Sequence, residues 1–149
     1  MTKQDQLDPK YNNLLVAKFI NQINKRGKKS KAQTIVYDCL EFLKQKTKKE
    51  PLDIFEEGIR NVAPSLEVKA KRVGGANYQV PVPVIGDRRL TLALRWIIKA
   101  AKSKKGKKMA DALALEILDA SKKQGSAIKT RENIHKMAEA NKAFAHFAR

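Results

Sequence analysis

The chain has 149 residues, 42% of them hydrophobic, and a formal charge of +17 from 32 Lys and Arg against 15 Asp and Glu. That length and apolar content are enough for one compact domain with its own core, which excludes a disordered tail. The charge far exceeds the magnitude of about 2 to 8 that solubility asks of a small domain; it concentrates polyanions and opposes self-association, so nucleic acid is the expected partner class and no homo-oligomer is expected.

In "NNLLVAKFINQINKRGKK", Asn12 or Asn13 is the N-cap of a first helix, with Leu15, Phe19 and Ile23 at i, i+4, i+8. Gly27 is its expected stop, with Lys25 and Arg26 in the last turn. From Ser30, the residues Ala32, Ile35, Val36, Cys39, Leu40 and Leu43 keep the spacing of one helical stripe, and Lys44, Lys46, Lys48 and Lys49 crowd its exit. A third helix, in "EPLDIFEEGIRNVAP", has Pro51 in its first turn and Asp53, Glu56 and Glu57 near its positive dipole end. It repeats Leu52, Phe55, Ile59 and Val62 and stops before Pro64.

The pattern then changes. "VKAKRVGGANYQVPVPV" alternates like two strands about a turn, with Gly74 and Gly75 able to take the positive dihedrals and Asn77 tolerant of them. Tyr78, Val80, Val82 and Val84 share one face of the return strand. Pro81 and Pro83 lack N–H groups on one edge, so that edge must point away from the partner strand. A two-stranded ribbon is marginal alone, which implies helices at its base and a ligand at its tip.

A fourth helix, "DRRLTLALRWIIKAAKSK", is expected to have Asp87 as N-cap and to bury Leu90, Leu94, Ile97 and Ala101. Arg88, Arg95, Lys99 and Lys102 fall on another stripe, a basic row about 20 Å long along which a phosphate backbone could lie. No acidic residue occurs from Arg88 to Lys108. "MADALALEILDASKKQG" gives a fifth helix with Met109, Leu113, Ile117 and Ala120 inward and Gly125 at its end. In the last helix, "SAIKTRENIHKMAEANKAFAHF", the expected core residues are Ile134, Met137, Ala138, Phe144 and Ala145. Lys129, Arg131, Lys136 and Lys142 are expected to face solvent or ligand. The fold class is thus mostly α: about six helices in a single domain over 1–149, with an antiparallel ribbon at about 66–84 between the third and fourth and residues 1–10 extended.

Catalytic chemistry finds no support. His135 and His146 are the only histidines, and neither is accompanied by a carboxylate cluster or a phosphate loop; "RVGG" opens no helix and lacks the Lys-Ser/Thr such loops need. The single cysteine, Cys39, excludes an intramolecular disulfide and a cysteine-pair metal site, fits a reducing compartment, and is expected in the core. No cofactor or metal is expected. No apolar run approaches the roughly 18 residues of a membrane span, and "MTKQDQLDPKY" has the look of neither a signal nor a transit peptide, so no membrane partner is expected. Trp96 is expected to pack on core or ribbon, with base stacking as the alternative.

"KRVGGANYQVP", "RRLTLALRW" and "HKMAEANKAFAH", together with "DPKY", "AKFIN", "GKKS", "IVYD" and "PLDIFEEGIRNV", resemble the bacterial-type small-subunit ribosomal protein seven in order over nearly the whole chain. Where that family commonly has an Arg/Lys-rich extension before "DPKY" the chain has "MTKQDQL", and its ending "AFAHFAR" differs slightly from the usual one. The resemblance implies a helical protein that binds the 3′ major domain of small-subunit rRNA, nucleates head assembly and borders the E site near tRNA and exiting mRNA. Proteins eleven and nine of the small subunit would be neighbours, in a cytoplasmic ribosome or one of an organellar stroma or matrix.

Carried over, the rRNA-facing positions are Lys25, Arg26, Gly27, Lys28, Lys29 and Lys31 in the first loop, Lys69, Lys71 and Arg72 at the ribbon base, and Arg88, Arg89, Arg95 and Lys99 on the fourth helix. The tip, Gly74, Gly75, Ala76, Asn77, Tyr78 and Gln79, would face E-site tRNA and mRNA. The rival from charge alone is an architectural DNA-binding protein that grips a minor groove with its β arm.

Overall fold

The computed structural model describes residues 7–24 and 26–148. In chain order it contains α1 (Leu14–Ile23), α2 (Lys29–Thr47), α3 (Pro51–Val62), β1 (Leu66–Val73), β2 (Ala76–Pro83), α4 (Asp87–Lys102), α5 (Met109–Ser121), α6 (Ser126–Ala140) and a C-terminal 3-10 turn (Lys142–Ala148). The strands pair antiparallel as a ribbon between α3 and α4, so the fold is mostly helical, as the periodicities predict.

The core is built around α5, whose Ala110, Ala112, Leu113, Ala114, Ile117 and Ala120 are buried on almost every side, as a helix apolar nearly all round requires. α2, α3 and α4 surround it. Its alanines let neighbours come close: a Cβ on Gly58 of α3 would lie 3.0 Å from the Ile117 carbonyl oxygen. Phe19 of α1 stacks on Phe55 of α3 with centroids 5.1 Å apart. Each fully buried Leu, Ile or Phe contributes about 1.5–3 kcal/mol. Burial of this kind, rather than the marginal stability of isolated ten-residue helices, therefore holds the shorter elements in place.

The "DPKY" motif is an anchor. Asp8 is buried, and its carboxylate accepts hydrogen bonds from the Lys10 and Tyr11 N–H groups (3.0 and 2.7 Å) and from the Tyr37 hydroxyl (2.7 Å), fastening the segment before α1 onto α2. Burial, reinforced by that bond to Asp8, pushes the Tyr37 phenol up to about 12.

Four element ends differ from the sequence expectation. α1 stops at Ile23, where Asn24 takes an extended ψ of 121° after its N–H closes on the Ile20 carbonyl; Arg26, with φ 55°, and Gly27 therefore lie in a turn beyond it. Asn13 is the N-cap, accepting from Leu15 and Val16, and the buried stripe is Val16, Phe19 and Ile20, with Leu15 and Ile23 only half-buried. Gly86, not Asp87, caps α4, and the Asp87 carboxylate instead pairs with Lys18 at 3.0 Å.

Gly125 caps the start of α6 rather than the end of α5, which stops at Ser121. The last helix breaks at Asn141 into the 3-10 turn. Its buried residues are Ala127, Ile128 and Ala138, while Met137 is 46% exposed and Ala145 is exposed; α6 packs on the two-stranded ribbon as well as on α3, α4 and α5.

Candidate nucleic-acid interface

The ribbon closes on Gly74 and Gly75, whose φ values of 57° and 82° make the two-residue turn that matches strand twist and that a side chain would strain. Pro81 and Pro83 stand opposite Val68 and Leu66. The Val84 N–H donates to the Ser65 carbonyl at 3.0 Å, and antiparallel bonding pairs recur every second residue, so both prolines fall at non-bonding positions and cost the ladder nothing.

Cross-strand register sorts the ribbon into two faces. Glu67, Lys69, Lys71, Tyr78, Val80 and Val82 share the inner one; Ala70, Arg72, Asn77 and Gln79 share the outer one. The inner face is occupied. Tyr78 lies 5.0 Å from the rings of both Phe144 and Phe147, and the Lys71 ammonium donates to the Phe147 carbonyl. At the base, Glu67 is 7% exposed and pairs with Arg88 at 2.9 Å and Lys69 at 3.4 Å, while the Arg89 guanidinium donates to the Pro64 carbonyl at 3.0 Å.

Four of the cations that the sequence assigns to a nucleic-acid surface, Lys69, Lys71, Arg88 and Arg89, thus have protein partners: Arg88 and Arg89 tie the ribbon base to α4, Lys71 ties the ribbon to the C-terminal turn, and Lys69 pairs with Glu67 within β1. Arg26, Gly27, Lys28, Lys29 and Lys31 lie exposed in and just after the α1–α2 turn; Lys25 is outside the described residues. Arg72 on the outer face of the ribbon and Arg95 and Lys99 on α4 are exposed too, and no ion pair engages them among the described residues. At the tip, Gly74, Gly75, Ala76, Asn77 and Gln79 are exposed, whereas Tyr78 turns inward.

An open groove of about 640 Å³ separates α1, α3 and the start of α4. Leu14, Ile59 and Leu90 line it beside Lys18, Arg60 and Arg89. Sequence reading missed Lys18 and Arg60 because each stands alone on its own helix; only packing brings them together. It missed Glu67 for a related reason, since a single acid in a basic ribbon reveals nothing until its partner on α4 is placed.

The remaining singled-out residues have structural surroundings. His135 is half-buried on α6 and its Nε2 accepts from the Ser65 N–H at 3.2 Å; burial, then the nearby Arg131, hold its pKa below the usual histidine value. Arg131 itself, expected to face solvent or ligand, donates to the Asn61 carbonyl and ties α6 to α3. His146 lies on the 3-10 turn beside Phe147. Trp96 is partly buried against the core cluster, and Cys39 is fully buried with its thiol pKa pushed up by desolvation. Among the described residues no helix is long and apolar enough to cross a membrane, and no group of three or more His, Cys, Asp or Glu is placed to hold a metal ion.

A helical body with a β-ribbon between α3 and α4 and exposed, unpaired cations defines the class of basic proteins that work on polyanions. Comparison with known proteins specifies which. The family model described as ribosomal protein S7p/S5e matches residues 1–142. The chain is 56% identical to small ribosomal subunit protein uS7 of Moorella thermoacetica over 140 residues, covering 94% of this chain and 90% of that protein. It is 54% identical to the uS7 of Chloroflexus aggregans over 142 residues (95% and 90%) and 56% identical to that of Clostridium novyi over 146 residues (97% and 94%). The chain belongs to the ribosomal protein S7p/S5e family and is a structural, non-enzymatic component of the small ribosomal subunit, acting in translation.

Proposed function

We propose that the protein binds the 3′ major domain of small-subunit rRNA, nucleates assembly of the subunit head, and presents its ribbon to the E site near tRNA and exiting mRNA, with proteins eleven and nine as neighbours. What supports this, beyond family membership, is the division of the cations into two sets. Lys69, Lys71, Arg88 and Arg89 satisfy protein acceptors, whereas Arg26, Lys28, Lys29, Lys31, Arg72, Arg95 and Lys99 are exposed with no ion pair among the described residues. Surplus charge of this kind is spent by neutralising phosphates and releasing counterions, while folded RNA shape supplies the selectivity. On this reading the outer-face residues Arg72, Asn77 and Gln79, with the Gly74–Gly75 tip, meet the E-site ligands, and Arg88 and Arg89, through Glu67 and the Pro64 carbonyl, hold the base of the ribbon on α4.

The test is a competition titration of the protein on a transcript of the rRNA 3′ major domain against equal masses of duplex DNA and an unrelated folded RNA, across a salt series. The rRNA fragment should retain its advantage at high salt while the competitors fall away. One common slope for all three would mean that the charge acts non-specifically, and the architectural DNA reading would take its place.

A further inference from the structure

The inner face of the ribbon carries a cation and an aromatic ring side by side, Lys71 opposite Tyr78, and both are in use by the last turn of the same chain. We propose that the C-terminal 3-10 turn is an intramolecular strap that masks this face, and that single-stranded RNA reaches Lys71 and Tyr78 only when the strap has left. The proposal rests on RNA being the ligand of the ribbon.

Three features make the strap releasable. None of residues 142–148 is buried, and a 3-10 run of seven residues is longer than its weak bonding geometry usually sustains, so the turn belongs to the low-stability end of the structure. Its hold on Lys71 is through the neutral carbonyl of Phe147; a phosphate oxygen offers the same ammonium a charge-assisted bond, which is the stronger one. Its hold on Tyr78 is through Phe144 and Phe147, both with centroids 5.0 Å away, and a nucleobase can replace a phenyl ring on an aromatic partner at similar stacking energy. RNA therefore offers Tyr78 an equivalent contact and Lys71 a better one. The apparent affinity is the intrinsic one multiplied by the fraction of time the strap is open, so a strap open about one tenth of the time weakens binding about tenfold.

The experiment is hydrogen–deuterium exchange on the full chain, with and without a short fluorescein-labelled oligouridylate, paired with anisotropy titrations of wild type and a Phe144→Ala/Phe147→Ala variant. Bound oligonucleotide should slow exchange in residues 66–83 and speed it in 142–148, and the double variant should bind about tenfold tighter with an unchanged salt slope. Trp96, packed on the core, reports by its emission whether the variant is folded; the exchange measurement on wild type needs no variant at all. Oligonucleotide bound with 142–148 exchanging at the same rate or more slowly, or a folded variant that binds no tighter, overturns the strap and leaves RNA binding standing. No binding by either protein overturns single-stranded RNA as the ligand of this face and the strap with it, while the rRNA titration decides the proposed function separately.

Discussion

Replacing Gly125 by alanine should destabilise the fold far more than the same change at Gly106, although both glycines have positive φ. Gly125 sits at φ 95°, ψ 175°, a region that residues with a Cβ enter at about 1–3 kcal/mol of strain. Its surroundings are also closed: a Cβ would lie 2.9 Å from Glu116 Oε1 and 3.1 Å from Asp119 Cβ. A carboxylate on a flexible stem would ordinarily swing aside. Glu116 is fully buried, however, and its Oε1 accepts from the Ala127 N–H at 2.9 Å, with Oε2 3.5 Å from the Lys104 ammonium.

Moving Glu116 thus breaks a buried hydrogen bond to a carboxylate, worth about 1.5–3 kcal/mol. Together the two come to about 2.5–6 kcal/mol, a large fraction of the roughly 5–15 kcal/mol that holds a domain of this kind. Gly106, at φ 76° with nothing within 4 Å of the built Cβ, carries only a backbone penalty of about 1–2 kcal/mol. Urea unfolding followed by far-UV circular dichroism measures both as a fall in midpoint without a change of slope. Equal losses for the two variants would refute the claim that Glu116 is what makes position 125 glycine-only.

Three more outcomes follow from particular contacts. His135 accepts from the Ser65 N–H only when its Nε2 is unprotonated, and its pKa is held below 6.5 in the fold. Its contribution is therefore complete above pH 6.5 and lost as pH falls from there through the folded value; comparing unfolding midpoints of wild type and His135→Gln across that window should show the slope in wild type alone. Tyr37→Phe should cost about 1.5–3 kcal/mol, since the buried Asp8 carboxylate loses one of its three donors, and a thermal melt no lower than wild type would contradict the anchor. Cys39, buried with a raised thiol pKa, should be alkylated by iodoacetamide only through unfolding, so a modification rate independent of added urea would show another route to it.

Elements with strong periodicity were legible because the information is local. The α2 stripe from Ala32 to Leu43, the Gly74–Gly75 turn and the edge defined by Pro81 and Pro83 each depend on the geometry of a few neighbouring residues, and the structure agrees with the sequence at all three. The ends of helices were less legible. "NKRG" reads as a last turn, yet two positive-φ residues and an extended Asn24 place it beyond α1. Gly125 reads as a stop for α5, yet it begins α6, because a glycine before a helix and one after a helix look the same until the buried Glu116 beside it is seen.

Sequence by itself determined the fold class, the ribbon and its blocked edge, the excess of cations and the family to which the chain belongs. Only the tertiary structure decided how those cations divide, since a lysine or arginine is equally basic whether its partner is a phosphate or Glu67, Pro64 or Phe147 of its own chain. Those partners are separated by 21, 25 and 76 residues from Arg88, Arg89 and Lys71, respectively. Charge is a property of composition, but its availability is set by which acceptors long-range packing brings within hydrogen-bonding distance.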